Sequence, residues 1–164
     1  MKSKRPRPLS PRAPRHRIAV AETDADIRRC HSVMHELRPH VPAAGFVERV
    51  RRQMALGYRL AFLEEARAVR AVAGYRIIEN LAWGRFLYVD DLVTRPEDQS
   101  RGYGRALFDW LAAEALRERC AEFHLDSGVQ RFGAHRFYLG RRMDITCHHF
   151  ALKLAGAALS PGRW

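Results

Sequence analysis

At 164 residues, 47% hydrophobic and 29% charged, the chain has the composition of one globular domain and not of a disordered polypeptide. No apolar run approaches the ~20 residues that cross a bilayer. No hydrophobic signal-type stretch follows the basic N-terminus, so a cytoplasmic protein without a membrane partner is expected.

Seven of the net +11 charges lie in residues 1–17, which contain no acid, leaving a mildly basic body at +4. That segment also carries Pro6, Pro8, Pro11 and Pro14. Proline removes backbone donors and like charges repel, so residues 1–17 are expected as a disordered tail. Such a tail could touch nucleic acid, but a solvated segment is the plainer reading. Cys30, Cys120 and Cys147 are odd in number and widely spaced, which indicates reduced thiols and neither a disulfide framework nor a zinc site.

Residues 18–21 read as a short strand. Thr23 with Asp26 three residues on forms a helix start, followed by Ile27, Cys30, Met34 and Leu37 at helical spacing until Pro39. A second amphipathic stretch carries Phe46, Val47, Val50 and Met54 and ends near Gly57. Three strand-like segments follow at 58–63, 69–78 and 86–94, with connections short enough for an antiparallel meander. Phe108, Leu111, Ala112 and Ala115 then form a helical stripe; 123–125 reads as a strand, 131–139 as a helix and 145–154 as a final strand. Residues 155–164 read as a loose C-terminus, and the body as one domain over 18–154. A strand–helix–strand unit beside a meander predicts an α/β (α+β) fold, a mixed central sheet flanked by helices.

The most informative stretch joins the 86–94 strand to the next helix. Gln99-Ser100-Arg101-Gly102-Tyr103-Gly104 opens that helix, and Arg105 follows. Glycines admit close approach of a ligand, and the first helical turn leaves N–H donors unpaired, which suits phosphate. Arg101 and Arg105 would add charge-assisted contacts. The third glycine of a dinucleotide fingerprint and the Gly-Lys-Ser/Thr of a Walker loop are both missing.

The hexapeptide resembles the Gln/Arg-x-x-Gly-x-Gly/Ala motif of the GNAT (GCN5-related) N-acetyltransferases, and the likeness extends through the element order of residues 18–154. The resemblance implies the GNAT-type acyl-CoA N-acyltransferase fold. It implies that backbone amides of residues 99–105 hold the pyrophosphate of coenzyme A. It also implies that Leu92, Val93 and Thr94 pair with the pantetheine arm as an added strand would. The expected activity is transfer of acetyl from acetyl-CoA, a cosubstrate, to a primary amine in a ternary complex. No metal is required. A non-catalytic acyl-CoA sensor is the alternative function, and nucleic-acid binding through the tail a further one.

Asp90 and Asp91 are adjacent carboxylates inside an apolar strand, where alternation sends them to opposite faces. Buried carboxylates need a specific partner or job. For Asp91 the expectation is a structural one, pairing with an arginine or capping a loop. Asp90 falls where several members of the family place an acid, which implies a general base acting on the acceptor ammonium; Glu79 is the rival, and ordered water a third option. Tyr138, in Ala134-His135-Arg136-Phe137-Tyr138-Leu139, matches the family's late-helix tyrosine, which implies a general acid toward the departing thiolate. Two departures stand out: Gln130-Arg131 lies where many members have a coenzyme-contacting asparagine, and Gly140 precedes Arg142-Met143, displacing the usual glycine.

His31 and His35 are spaced i, i+4 but lack a third ligand, and His148-His149 point to opposite strand faces, so a metal is not expected. The first two helices and the loop over 37–45 are expected to border the acceptor site. The acids near that site favour a cationic acceptor, either a small molecule or a protein amine. A homodimer is compatible with the family.

Overall fold

The computed structural model describes residues 16–152 and Leu154, so most of the basic tail and the loose C-terminus fall outside the described residues. Five strands form one sheet in the order of the chain: β1 (His16–Val20), β2 (Tyr58–Glu65), β3 (Ala68–Asn80), β4 (Gly84–Thr94) and β5 (Glu122–Leu125). The first four are antiparallel, and β4 to β5 is parallel, so the sheet is mixed as expected. β1 starts two residues earlier than hydropathy indicates. Arg17, assigned by composition to the tail, lies in the sheet opposite Glu64, where an edge strand tolerates an exposed charge.

α1 (Asp24–Leu37) begins on the expected capping box. Thr23 Oγ1 accepts from the Asp26 amide at 3.1 Å, and Asp26 returns a bond to the Thr23 amide. α2 (Phe46–Met54) follows a left-handed Gly45. These two helices cover one sheet face, burying Ile27, Cys30, Val33, Phe46 and Val50 against Leu60, Phe62 and Val72. α3 (Tyr103–Arg117) covers the other, where Leu107 and Leu111 meet Leu63, Tyr75 and Leu87. Alternation along β2 thus serves both cores: Leu60 and Phe62 on one side, Ala61 and Leu63 on the other. α4 (Phe132–Gly140) buries no residue fully, and Phe137 meets Phe108 edge-on at 5.7 Å between ring centroids.

The final strand expected over 145–154 is not formed among the described residues, and Ile145, Phe150 and Leu152 are exposed. Its apolar positions change phase, Ile145 and Cys147 against Phe150, Leu152 and Leu154. No single strand register puts all five on one face. His149 instead places Nδ1 3.0 Å from Asp126 Oδ2, just beyond β5.

Candidate active site

β4 changes character at Val89. Phe86 to Val89 pair with both β3 and β5, whereas the β5 ladder ends at the Val89–Leu125 step. From Asp90 to Thr94 the strand keeps β3 on one side, and among the described residues no strand pairs with its other edge. An extended backbone with one free row of N–H and C=O groups is a template for an added strand-like ligand. Leu92, Val93 and Thr94 all lie on this one-sided stretch.

A β-bulge sits at the same point. Tyr75 is opposite Val89 and Gly74 opposite Asp91, so Asp90 is the extra residue. The bulge overturns the expectation that the two carboxylates face opposite ways: Asp90 and Asp91 both line one cavity of about 610 Å³ beneath α1 and α2. Strict alternation holds only while the pairing is regular.

Each carboxylate has its own arginine. Asp91 Oδ1 accepts from Arg38 Nε at 2.7 Å and Oδ2 from the Tyr58 hydroxyl at 3.2 Å, the structural pairing expected for it. Asp90 Oδ2 accepts from Arg76 Nε at 2.7 Å, while its backbone carbonyl accepts from Arg38 at 3.1 Å. Burial pushes the Asp90 carboxyl above its ordinary range, and Arg76 offsets part of that rise. Gly74 makes the cluster sterically feasible. A Cβ there would meet the Tyr58 hydroxyl at 2.0 Å, so the Tyr58 ring crosses β3 where only hydrogen stands in its way.

Tyr138 reaches the same cavity from α4. Burial raises its phenol pKa, with Arg131 opposing, so the group is protonated and able to donate near neutral pH. Tyr88 lines the cavity from β4, its hydroxyl donating to Asp126 Oδ2 at 2.7 Å. Glu79 is exposed near the far end of β3, opposite Arg85, and does not line this cavity.

The Gly loop lies at the other end of the one-sided stretch. A short 3-10 turn (Pro96–Asp98) leads through Gln99, Ser100 and Arg101 to Gly102, which opens α3 in the left-handed region at φ +89°. Without a side-chain cap, the first-turn amides have no partner inside the helix. At Gly104 a Cβ would come within 3.1 Å of Thr94 Oγ1, so the helix start lies against the end of β4. Buried Asp98 fixes the loop, accepting from Arg70 at 3.2 Å and from Arg101 at 2.9 Å. Arg101 is therefore committed to Asp98, whereas Arg105 is exposed beside Asp109 at 3.7 Å. The Tyr103 side chain is buried and donates to Glu65, which leaves its backbone N–H as the group it can offer a ligand.

The model of the Acetyltransferase (GNAT) family matches residues 21–142. The chain belongs to the GNAT acetyltransferase family. It is 33% identical over 124 residues to the uncharacterized N-acetyltransferase YhdJ of Bacillus subtilis (strain 168), covering 75% of this chain and 87% of that protein. Among solved structures, the aminoglycoside N-acetyltransferase AAC(6')-Iy in complex with CoA superposes with a TM-score of 0.75 at 12% identity, over 90% of this chain and 99% of that one. A ribosomal-protein-alanine N-acetyltransferase from Brucella melitensis biovar Abortus 2308 superposes with a TM-score of 0.74 at 12% identity, over 85% and 99%. These structural likenesses show the GNAT fold. As a GNAT member the chain is an acetyl-CoA-dependent N-acetyltransferase acting on an amine. Its free β4 edge and glycine-opened helix fit an extended pantetheine arm and a pyrophosphate.

The sequence reading missed the support of the site: Arg38, Tyr58, Gly74 and Arg76. A charged Arg76 inside the apolar run of β3 is the signal that could have found it, because such a residue demands an acid nearby. Far from forming a ligand set, His31 Nε2 and His35 Nδ1 both approach the Val41 carbonyl, at 3.0 and 3.4 Å, and tie down the loop after α1.

Proposed function

We propose that the 610 Å³ cavity receives a primary amine, that Asp90 is its general base and that Tyr138 is the general acid. The convergence of these two side chains from β4 and α4 on one cavity beside the one-sided stretch of β4 carries the reading. Acetyl-CoA, when bound, supplies a thioester that yields its acetyl group to nitrogen and leaves as a free thiol.

The chain's own groups supply the proton handling. Asp90 Oδ2 is held by Arg76, which aims the carboxylate while Oδ1 takes the proton from the acceptor ammonium. The raised pKa of Asp90 brings its basicity toward the working pH. Tyr138 donates its phenolic proton toward sulfur. The backbone N–H of Leu92, which the ladder phase turns away from β3, would stabilise charge developing on the acetyl oxygen, while that of Val93 faces β3. Amides of Gly102, Tyr103 and Gly104, with Arg105, hold the pyrophosphate, and Gln99, Ser100 and Arg101 shape the loop that presents them.

The test is thiol release from acetyl-CoA across a panel of primary amines, with Tyr138→Phe and Asp90→Asn in parallel. Amine-dependent release by the wild type that falls in both variants is expected. Equal release by wild type and both variants would remove the assigned roles.

A further inference from the structure

The charges of the cavity do not describe a site for a simple cation, although its carboxylates favour one when the sequence is read alone. Asp90 and Asp91 are neutralised by Arg76 and Arg38, and Asp126 accepts from Tyr88 and faces His149. Gln53 and the Leu56 carbonyl occupy more of the Arg76 guanidinium, fixing that pair in place. Two further arginines line the same cavity, Arg49 from α2 and Arg131 from the start of α4. Neither is engaged in an ion pair or side-chain hydrogen bond among the described residues. The remaining cavity acid, Glu36, is exposed at the rim.

Both guanidiniums are placed by their elements. Phe46, Arg49, Val50 and Gln53 follow the i, i+3, i+4, i+7 pattern of one helix face; Phe46 and Val50 are buried in the core, and that face brings Arg49 to the cavity. Arg131 precedes Tyr138 by two helical turns and acts electrostatically on its phenol, so it lies on the catalytic side of α4. The two half-buried arginines thus reach the amine-binding space from two different elements, each with free fork geometry for an oxyanion.

We infer that the acceptor carries an anionic group, a carboxylate or a phosphate, besides its reactive amine, and that Arg49 and Arg131 hold that group. The inference rests on the amine-acetylation reading and narrows its substrate class. The ammonium end lies toward Asp90 and the anionic end toward these two guanidiniums, so the acceptor enters in one orientation. Arg49 and Arg131 act as specificity residues and take no part in proton transfer.

The test is calorimetric and independent of turnover. Protein saturated with CoA, which blocks the pyrophosphate site, is titrated with N-acetylglycine, N-acetylglycinamide and inorganic phosphate. Saturable binding of N-acetylglycine at least about tenfold tighter than of the amide supports a carboxylate-bearing acceptor, and tight binding of phosphate alone a phosphorylated one. Arg49→Gln and Arg131→Gln should each weaken the preferred anion about tenfold, with Arg28→Gln on the outer face of α1 unchanged. The comparison of N-acetylglycine with its amide needs no variant, so a misfolded Arg49→Gln cannot obscure the result. Absence of saturable anion binding, equal affinity for the amide in the absence of phosphate binding, or anion affinity unchanged in both variants would overturn the inference. Thiol release with any amine is a separate readout, so failure of acetyl transfer is distinguished from failure of anion recognition.

Discussion

The two halves of β4 share a strand, a partner in β3 and a largely apolar composition, yet they do different work. From Phe86 to Val89 the strand is paired on both sides, and Phe86, Leu87 and Val89 are buried. From Asp90 to Thr94 one ladder is missing among the described residues, every residue is half-buried and two carboxylates appear. The first half is core and the second is the proposed site. The difference comes from one bulge and one short neighbour: Asp90 shifts the register, and β5 stops at Leu125. A site can thus be opened inside a sheet by ending a ladder, without a separate loop to carry it.

The sharpest way to break this contrast is to crowd the strand beside the bulge. Gly74→Val drives Cβ into the Tyr58 ring and separates Tyr58 from Asp91, and urea unfolding should show a loss of about 3 kcal/mol. A loss under about 0.5 kcal/mol would mean that the ring has room to move. Next in size, Tyr138→Phe should lower kcat about 100-fold while acetyl-CoA affinity, read by calorimetry, stays within about twofold.

The acid side of the profile sharpens the role of Asp90. Burial raises its folded-state pKa, so the carboxylate proposed as base is lost as pH falls through a value above the ordinary carboxylate one. The kcat/KM profile should show an acidic limb above that ordinary value that disappears in Asp90→Asn. The same shift carries a stability sign. With the folded pKa above the unfolded one, the native state binds the proton more tightly, so the wild type loses stability relative to Asp90→Asn as pH rises between the two values.

Smaller effects are expected away from the carboxylates. Gly104→Val places branches where a Cβ alone would lie 3.1 Å from Thr94 Oγ1, and should weaken acetyl-CoA binding about tenfold by calorimetry. The β2–β3 turn has Ala66 and Arg67 at φ +52° and +62°, a conformation that favours Asn-Gly. Replacing them with Ala66→Asn and Arg67→Gly should raise stability by about 1 kcal/mol with activity unchanged, because the turn lies outside the cavity.

Legibility in the sequence followed the range of the interactions. Thr23 and Asp26 announce α1 because a capping box lies within four residues, and the apolar run within 58–63 announces β2 because both faces are buried. Gly102 and Gly104 were visible as a pattern, and the structure gives each a reason, a left-handed backbone and a close approach. The face of Asp90 was not legible, since the bulge depends on the pairing of β3 with β4. Nor were Arg38 and Tyr58, 53 and 33 residues from Asp91, because their roles exist only in the folded chain. Residues 145–154 misled for the same reason: strand-like composition forms no strand without a neighbour in register.

Amide hydrogen exchange with and without saturating acetyl-CoA tests the division of β4 most directly. The account predicts at least about tenfold slower exchange at Leu92 and Thr94 on binding, because their N–H groups face away from β3 and an added partner covers them, whereas Val93 faces β3. It predicts no change at Leu87, Tyr88 and Val89, which already have neighbours on both sides. Unchanged exchange at Leu92 and Thr94 in protein saturated with acetyl-CoA would contradict the assignment of this half of β4 as the cosubstrate edge.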